Sequence, residues 1–183
     1  MGIRHRLAAL AVVAVLASAC SSSSAGSGGG RVPAANASTA SLLPTNVLAL
    51  PSFDYAKFQE LLGQLRGTPV LVNVWASWCG PCQAEAPHLA DAAERFGSKV
   101  QFLGVDILDS RPSARSFMER EGWTYPSVYD ETGSIRDQLG FIGQPVTAFF
   151  DASGTLVSSW SGPVTPEILT RRLQDLLGHD RAP

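Results

Sequence analysis

Cysteine and histidine are scarce, with three of each in 183 residues. So few cysteines exclude a multi-disulfide scaffold. They also exclude a zinc site built from Cys and His in the usual fours, unless a carboxylate joins. A basic excess is missing too: 14 Lys and Arg stand against 16 Asp and Glu, for a formal charge of -2. Nothing in that balance is built to neutralise phosphates, so nucleic acid is not an expected partner. Charge is sparse as a whole, at 16% against 45% hydrophobic residues. That is too apolar for a disordered charged tail and sufficient for a packed core. No internal repeat is visible, and the length fits one domain.

The first residues read as an address. Arg4 and Arg6 precede an uncharged apolar stretch, Leu7 to Ala19. It has about 13 residues where a membrane-spanning helix needs about 20. Ala17-Ser18-Ala19-Cys20 follows and resembles a bacterial lipoprotein signal, cut before Cys20, whose thiol is then lipidated. Ala17 stands where Leu is commoner in such signals. An ordinary secretory signal cut near Ala19 fits as well, leaving Cys20 incidental; the tether-like segment after Cys20 favours lipidation. Cutting there removes 19 of 183 residues and leaves 164. Arg4 and Arg6 go with them, so 12 basic residues face 16 acidic ones, a net charge of -4. Outside the cytoplasm disulfides persist, and the one remaining cysteine pair is Cys79 and Cys82.

Residues 20–43 are rich in Ser, Gly and Ala and read as a flexible tether. About 24 such residues reach typically about 25–30 Å. The expected division is a signal over 1–19, a tether over 20–43, a folded domain over 44–179 and a tail over 180–183. Within the domain, apolar spacing predicts a helix over Asp54 to Leu65 and a buried strand over Val70 to Ala76. A helix follows from Gly80 to Phe96, then a strand over Val100 to Val105 and a helix over Pro112 to Glu121. Next come a short strand over Ser127 to Tyr129 and a short helix over Ile135 to Leu139. A hairpin of Val146 to Phe150 with Leu156 to Trp160 precedes a last helix capped by Thr165 and opened by Pro166. This alternation is α/β, a mixed sheet with helices on both faces.

The chemistry lies in Trp75-Ala76-Ser77-Trp78-Cys79-Gly80-Pro81-Cys82. Two cysteines two residues apart sit where a strand passes into a helix. Free N–H groups and the positive end of the helix dipole stabilise a thiolate at Cys79 and make it the attacking group. Cys82, one turn inside, is expected to be more buried and to resolve the mixed disulfide. A static disulfide or half a metal site are the competing readings. The loop closed by Cys79–Cys82 is too short to restrict much chain entropy, so its value is chemical. A metal site needs further ligands, and only His88 is close in sequence.

Trp-Cys-Gly-Pro-Cys after a hydrophobic strand resembles the thioredoxin superfamily. The details are similar to its membrane-anchored extracytoplasmic branch, the TlpA/ResA-like thiol–disulfide oxidoreductases with the DsbE-type cytochrome c maturation proteins. The resemblance covers Val47 to Leu177. It implies a thioredoxin-like fold, no cofactor beyond the redox-active pair Cys79–Cys82, and a proline, Pro87, kinking the helix after that pair. It implies that Pro145 is the family's cis-proline facing the cysteines, and that the backbone of Gln144 pairs with substrate as an added strand. Trp78, Gly80 and Pro81 complete the client-facing surface, Trp78 serving either docking or packing. Asp106 to Gly122 matches the helical insert of this branch.

Glu85, three residues after Cys82, lies on the same side of the helix. Related anchored proteins carry a glutamate there, which implies a role in tuning the thiols or moving a proton for Cys82; a solvated first-turn glutamate is the alternative. Asn73 departs from plain thioredoxin, which has a titratable aspartate at that place, and Gln144 departs from the commoner aliphatic or Thr choice. Asp109 is a further acid near the site, and loop carboxylates are ordinarily solvated.

The resemblance implies a protein-disulfide reductase, with apocytochrome c thiols as one client class. Its partners would be exported proteins with cysteines, a membrane thiol reductase as electron donor, and the membrane itself through the lipid on Cys20. An oxidant that introduces disulfides is the runner-up. A Sco-like copper chaperone is more distant, since it wants a three-residue gap between cysteines and a distal histidine. A peroxidase needs a threonine where Ala76 stands.

Overall fold

The computed structural model describes residues 40–179. The signal, Cys20, the tether up to residue 39 and the tail from 180 lie outside the described residues. Five strands and five helices follow one another as α1 (Tyr55–Gln64), β1 (Val70–Trp75), α2 (Gly80–Phe96), β2 (Gln101–Ile107), α3 (Arg111–Arg120), β3 (Ser127–Asp130), α4 (Ser134–Gln138), β4 (Val146–Phe150), β5 (Leu156–Ser161) and α5 (Pro166–His179). The sheet order is β3-β2-β1-β4-β5. Strands β1, β2 and β3 run parallel, and β4 and β5 are antiparallel to their neighbours. This is the mixed sheet the alternation predicts.

Each helix start has a local cause. Asp54 accepts the Lys57 N–H at 2.8 Å ahead of α1, and Ser110 accepts the Ser113 N–H at 3.3 Å ahead of α3. Thr165 accepts the Ile168 N–H at 3.3 Å ahead of α5, whose first residue is Pro166. These contacts satisfy amides that the helix itself leaves unpaired. Only α4 lacks a side-chain cap; it starts after Gly133, at φ 76°.

Period-two alternation on buried strands sends side chains to two cores. Val70, Val72, Val74, Leu103, Val105 and Ile107 pack with Phe58 and Leu61 of α1 and Ile135 of α4. Leu71, Trp75 and Phe102 pack on the other face with α2, α3 and α5. Each such fully buried side chain contributes about 1.5–3 kcal/mol. Beneath α3, Trp75 stacks on Phe117 with ring centroids 5.0 Å apart and meets Trp123 edge-on at 4.7 Å. Trp75 is the last residue of β1, so this cluster fixes the point from which the cysteine loop departs.

Three boundaries differ from expectation for tertiary reasons. Strand β2 runs to Ile107 rather than Val105, because Asp106 and Ile107 pair with Tyr129 and Asp130 of β3. The segment ahead of α1, unassigned in sequence, is held by a bridge from Ser52 to Tyr129, with Leu50 and Phe53 buried. The end of the segment read as tether reaches the domain: the Leu42 N–H donates to Gln64 Oε1 at 2.8 Å, and Leu42 and Leu43 pack against the α1 core.

Candidate active site

Strand β1 delivers the chain to a turn in which the Cys79 N–H donates to the Ala76 carbonyl at 3.1 Å. Cys79 is the N-cap of α2, and its Sγ accepts the Cys82 N–H at 3.2 Å. The helix mouth read from the sequence is therefore aimed at this sulfur. Pro81 occupies the first turn, where its missing N–H costs no helix hydrogen bond. Cys79 and Cys82 are joined by a disulfide, with their Cα atoms 5.2 Å apart. Both are nearly enclosed: Cys79 retains 5% of its surface and Cys82 2%. The order matches expectation, though the gap is small. A Cβ on Gly80 would meet nothing within 4 Å, so the ring edge at Gly80 is open. Pro87 lies inside α2 as expected.

Across from the disulfide, the Gln144–Pro145 peptide is cis. The Gln144 carbonyl oxygen is 4.0 Å from Cys79 Sγ. The Gln144 side chain turns elsewhere: its Oε1 accepts Arg136 Nη1 at 3.3 Å, and Arg136 in turn meets Asp137 at 2.7 Å. Next to this loop Ile142 is 96% exposed, and on the cysteine side Trp78 is 56% exposed. The Trp78 indole Nε1 donates to the Leu108 carbonyl at 3.0 Å. Trp78 is thus a surface residue tied down at one edge.

Glu85 is fully buried, not solvated. Its Oε1 accepts Asn73 Nδ2 at 2.8 Å and its Oε2 accepts the Val164 N–H at 2.8 Å. Asn73 Nδ2 also reaches Thr147 Oγ1 at 3.3 Å, two residues past Pro145. Burial pushes the Glu85 carboxyl up from 4.5 to about 7, against the two hydrogen bonds that pull it down. Asn73 cannot titrate, yet it anchors the carboxyl that does, one turn of α2 beyond Cys82.

Asp109 differs from the expected solvated loop acid. Its Oδ2 accepts the Ser77 N–H at 2.5 Å, and its Oδ1 accepts Ser77 Oγ at 3.0 Å and the Ser110 N–H at 2.7 Å. The Ser77 carbonyl accepts Gln83 Nε2 at 2.7 Å. The residue two before Cys79 is therefore clamped at both backbone groups. Sequence reasoning did not single out Asp106, a fully buried acid on β2, and it missed the contributions of Thr147 and Val164. An acid in the middle of the buried run Phe-Leu-Gly-Val-Asp-Ile was the available signal for Asp106; the other two carry none. Among the described residues, no three of His, Cys, Asp and Glu group as a metal site, and no helix is long and apolar enough to cross a membrane.

The family model for AhpC/TSA matches residues 49–159, more than half of the chain. The chain belongs to the AhpC/TSA family. Among curated relatives it is similar to a thiol:disulfide interchange protein DsbE of Haemophilus influenzae, 35% identical over 61% of this chain and 60% of that one. It is also similar to a thiol-disulfide oxidoreductase ResA of Geobacillus kaustophilus, 27% identical over 67% and 71% of the two chains. The chain thus spans under two thirds of the length of the Haemophilus relative. Among solved structures, a secreted Mycobacterium tuberculosis disulfide oxidoreductase homologous to E. coli DsbE superposes with a TM-score of 0.58. It is 26% identical, over 62% of this chain and 86% of that one. A DsbF homologue from Corynebacterium diphtheriae gives a TM-score of 0.58 at 28% identity, over 63% and 76%. The AhpC/TSA match contains Cys79, Cys82, Glu85, Asp109, Gln144 and Pro145; Val164, whose amide holds Glu85, lies beyond it.

Proposed function

We propose that this chain is an extracytoplasmic thiol–disulfide oxidoreductase that reduces disulfides in exported proteins. The carrying observation is the Cys79–Cys82 disulfide at the mouth of α2, beside the Gln144 carbonyl. The names of the DsbE and ResA relatives support it.

In the reduced form, the Cys82 N–H and the dipole of α2 stabilise a Cys79 thiolate. It attacks one sulfur of a client disulfide; the Cys79–client bond forms and the client's other sulfur leaves as thiolate. Cys82 then loses its proton, attacks Cys79 Sγ and releases the second client thiolate. Two electrons pass from the pair to the client, and Cys79–Cys82 ends oxidised. Glu85 is the proton acceptor for Cys82, supported by its burial and a carboxyl held near neutrality. The client lies as an extended segment along Gln144 and Pro145, bordered by Trp78, Gly80 and Pro81. Lipid on Cys20 holds the domain at the membrane, where a membrane thiol reductase returns the electrons. Apocytochrome c thiols are the client class the resemblance favours.

Direction is a matter of potential. Between about −270 mV for a reductant and about −120 mV for a strong oxidant lie about 7 kcal/mol. Insulin reduction by the purified domain, with a potential toward the lower end, is the expected result. A pair held mainly oxidised in cells with a potential near −120 mV overturns the reductase reading in favour of a disulfide-introducing oxidant.

A further inference from the structure

Asp106 is fully buried on β2, and neither carboxyl oxygen has a hydrogen-bond donor among the described residues. Two unpaired oxygens on a buried acid are costly, so the residue calls for a reason. It faces the active-site side of the sheet, in register with Trp75 of β1 and Tyr129 of β3. The charged and titratable groups around it are Asp109 of the β2–α3 loop, Arg111 of α3 and the Tyr129 phenol. Asp109 lies just beyond it: its carboxylate holds Ser77, two residues past Asp106's β1 partner Trp75, and its carbonyl accepts the hydroxyl of Asp106's β3 partner Tyr129 at 2.7 Å. Arg111 is engaged elsewhere: its Nε donates to the Leu50 carbonyl at 3.0 Å and its guanidinium lies 4.1 Å over the Tyr129 ring.

Two neighbouring carboxyls, one of them buried without a donor, have one attractive arrangement, a proton between them. Asp109 is already the acceptor for Ser77 N–H, Ser77 Oγ and Ser110 N–H, so Asp106 is the donor. We infer that Asp106 and Asp109 form a proton-sharing latch that positions the Cys79 loop, Asp106 holding the proton and Asp109 gripping Ser77. Burial, with Asp109 adding its charge, pushes Asp106 up from 3.8 to about 8. Loss of that proton to solvent puts two negative charges in contact and drives Asp109 off Ser77. Asp106 is a positioning residue, since it acts on Cys79 only through Asp109 and the loop. The inference deepens the exchange reading and rests on it for its catalytic consequence alone.

The test separates the two. In the oxidised, 15N-labelled protein neither Cys79 nor Cys82 titrates. The Ser77 and Ser110 amide resonances are expected to move together in one alkaline step between about pH 7 and 9. Asp106→Asn still offers a donor to Asp109 but cannot ionise, so the step is lost. Glu85→Gln retains it. Asp109→Asn replaces the adjacent charge with a neutral donor and shifts the step of the remaining acid, followed by the Tyr129 and Ile107 amides, down by about one unit or more. In exchange with a peptide disulfide, the wild-type rate falls on the alkaline side with the same midpoint, and Asp106→Asn lacks that limb. A Ser77 step that survives in Asp106→Asn, or no step in the wild type, overturns the latch. An alkaline limb that survives in Asp106→Asn after the amide step has gone overturns its positioning role. Absence of any exchange with the amide step intact overturns the exchange reading and leaves the latch standing.

Discussion

Glu85 has its charge state set by what encloses it. Its folded value of about 7 exceeds the unfolded 4.5, so the folded chain binds more protons than the unfolded one between those values. For a raised carboxyl, stability is greatest below the unfolded value and declines as pH climbs through the folded one. At about 1.4 kcal/mol per unit, the decline attributable to Glu85 is about 3 kcal/mol between pH 4.5 and 7. Glu85→Gln is expected to flatten that part of the profile, as measured by urea unfolding at a series of pH values; a slope identical to wild type refutes it. Asn73→Leu removes the Nδ2 donor to Oε1. The carboxyl should then rise further above 7, with a stability loss of about 1–3 kcal/mol from the orphaned oxygen, read by carboxyl-13C titration and unfolding at pH 5. At this scale the spacing to Cys82 put Glu85 on the cysteine side of α2, and the family resemblance singled it out. Its burial was not legible, because the partners come from strand β1 and from Val164, 79 residues away.

At the scale of elements, the helices were the most legible parts. Their caps and prolines act within one turn, and α2 spans Gly80–Phe96, the range read from the sequence. Strand ends were less so, since β2 is prolonged by pairing with β3 rather than by anything local. Gly104 shows how closely these strands are fitted. A Cβ there would collide with Ser127 Oγ and stand 2.7 Å from Trp75 Nε1. The indole of Trp75 is wedged in the aromatic cluster with Phe117 and Trp123 and has little room to retreat. Gly104→Ala should therefore destabilise the domain by about 1–3 kcal/mol through overpacking. Because Trp75 leads into the cysteine loop, the alanine should also perturb the Ser77 amide, whereas Gly63→Ala, on helix α1 with open space around it, should leave that amide in place. Chemical unfolding and amide spectra of the two variants decide the matter; equal stability of Gly104→Ala and wild type refutes the strained fit.

At the scale of the whole molecule, the proposed function gives two sulfur sites different ends: electron exchange at Cys79–Cys82 and lipid attachment at Cys20. The proposal assigns them separable phenotypes. Cys82→Ala removes the sulfur that displaces a captured client, so Cys79 should accumulate mixed disulfides that vanish on reduction, while Cys79→Ser should accumulate none. These adducts should form in the membrane fraction, because the proposal places the lipid anchor on Cys20 of the same chain. Adding Cys20→Ser to Cys82→Ala removes the anchor and leaves the exchange chemistry intact. The prediction is a shift of the adducts from the membrane to the soluble fraction, with fewer clients that are themselves membrane-bound and undiminished capture of a soluble peptide disulfide. Fractionation followed by non-reducing electrophoresis reads both effects at once. Should the double variant stay with the membrane, the lipid on Cys20 is not what holds the domain there; should it lose capture of the soluble peptide, tether and exchange site are coupled and this division of labour fails.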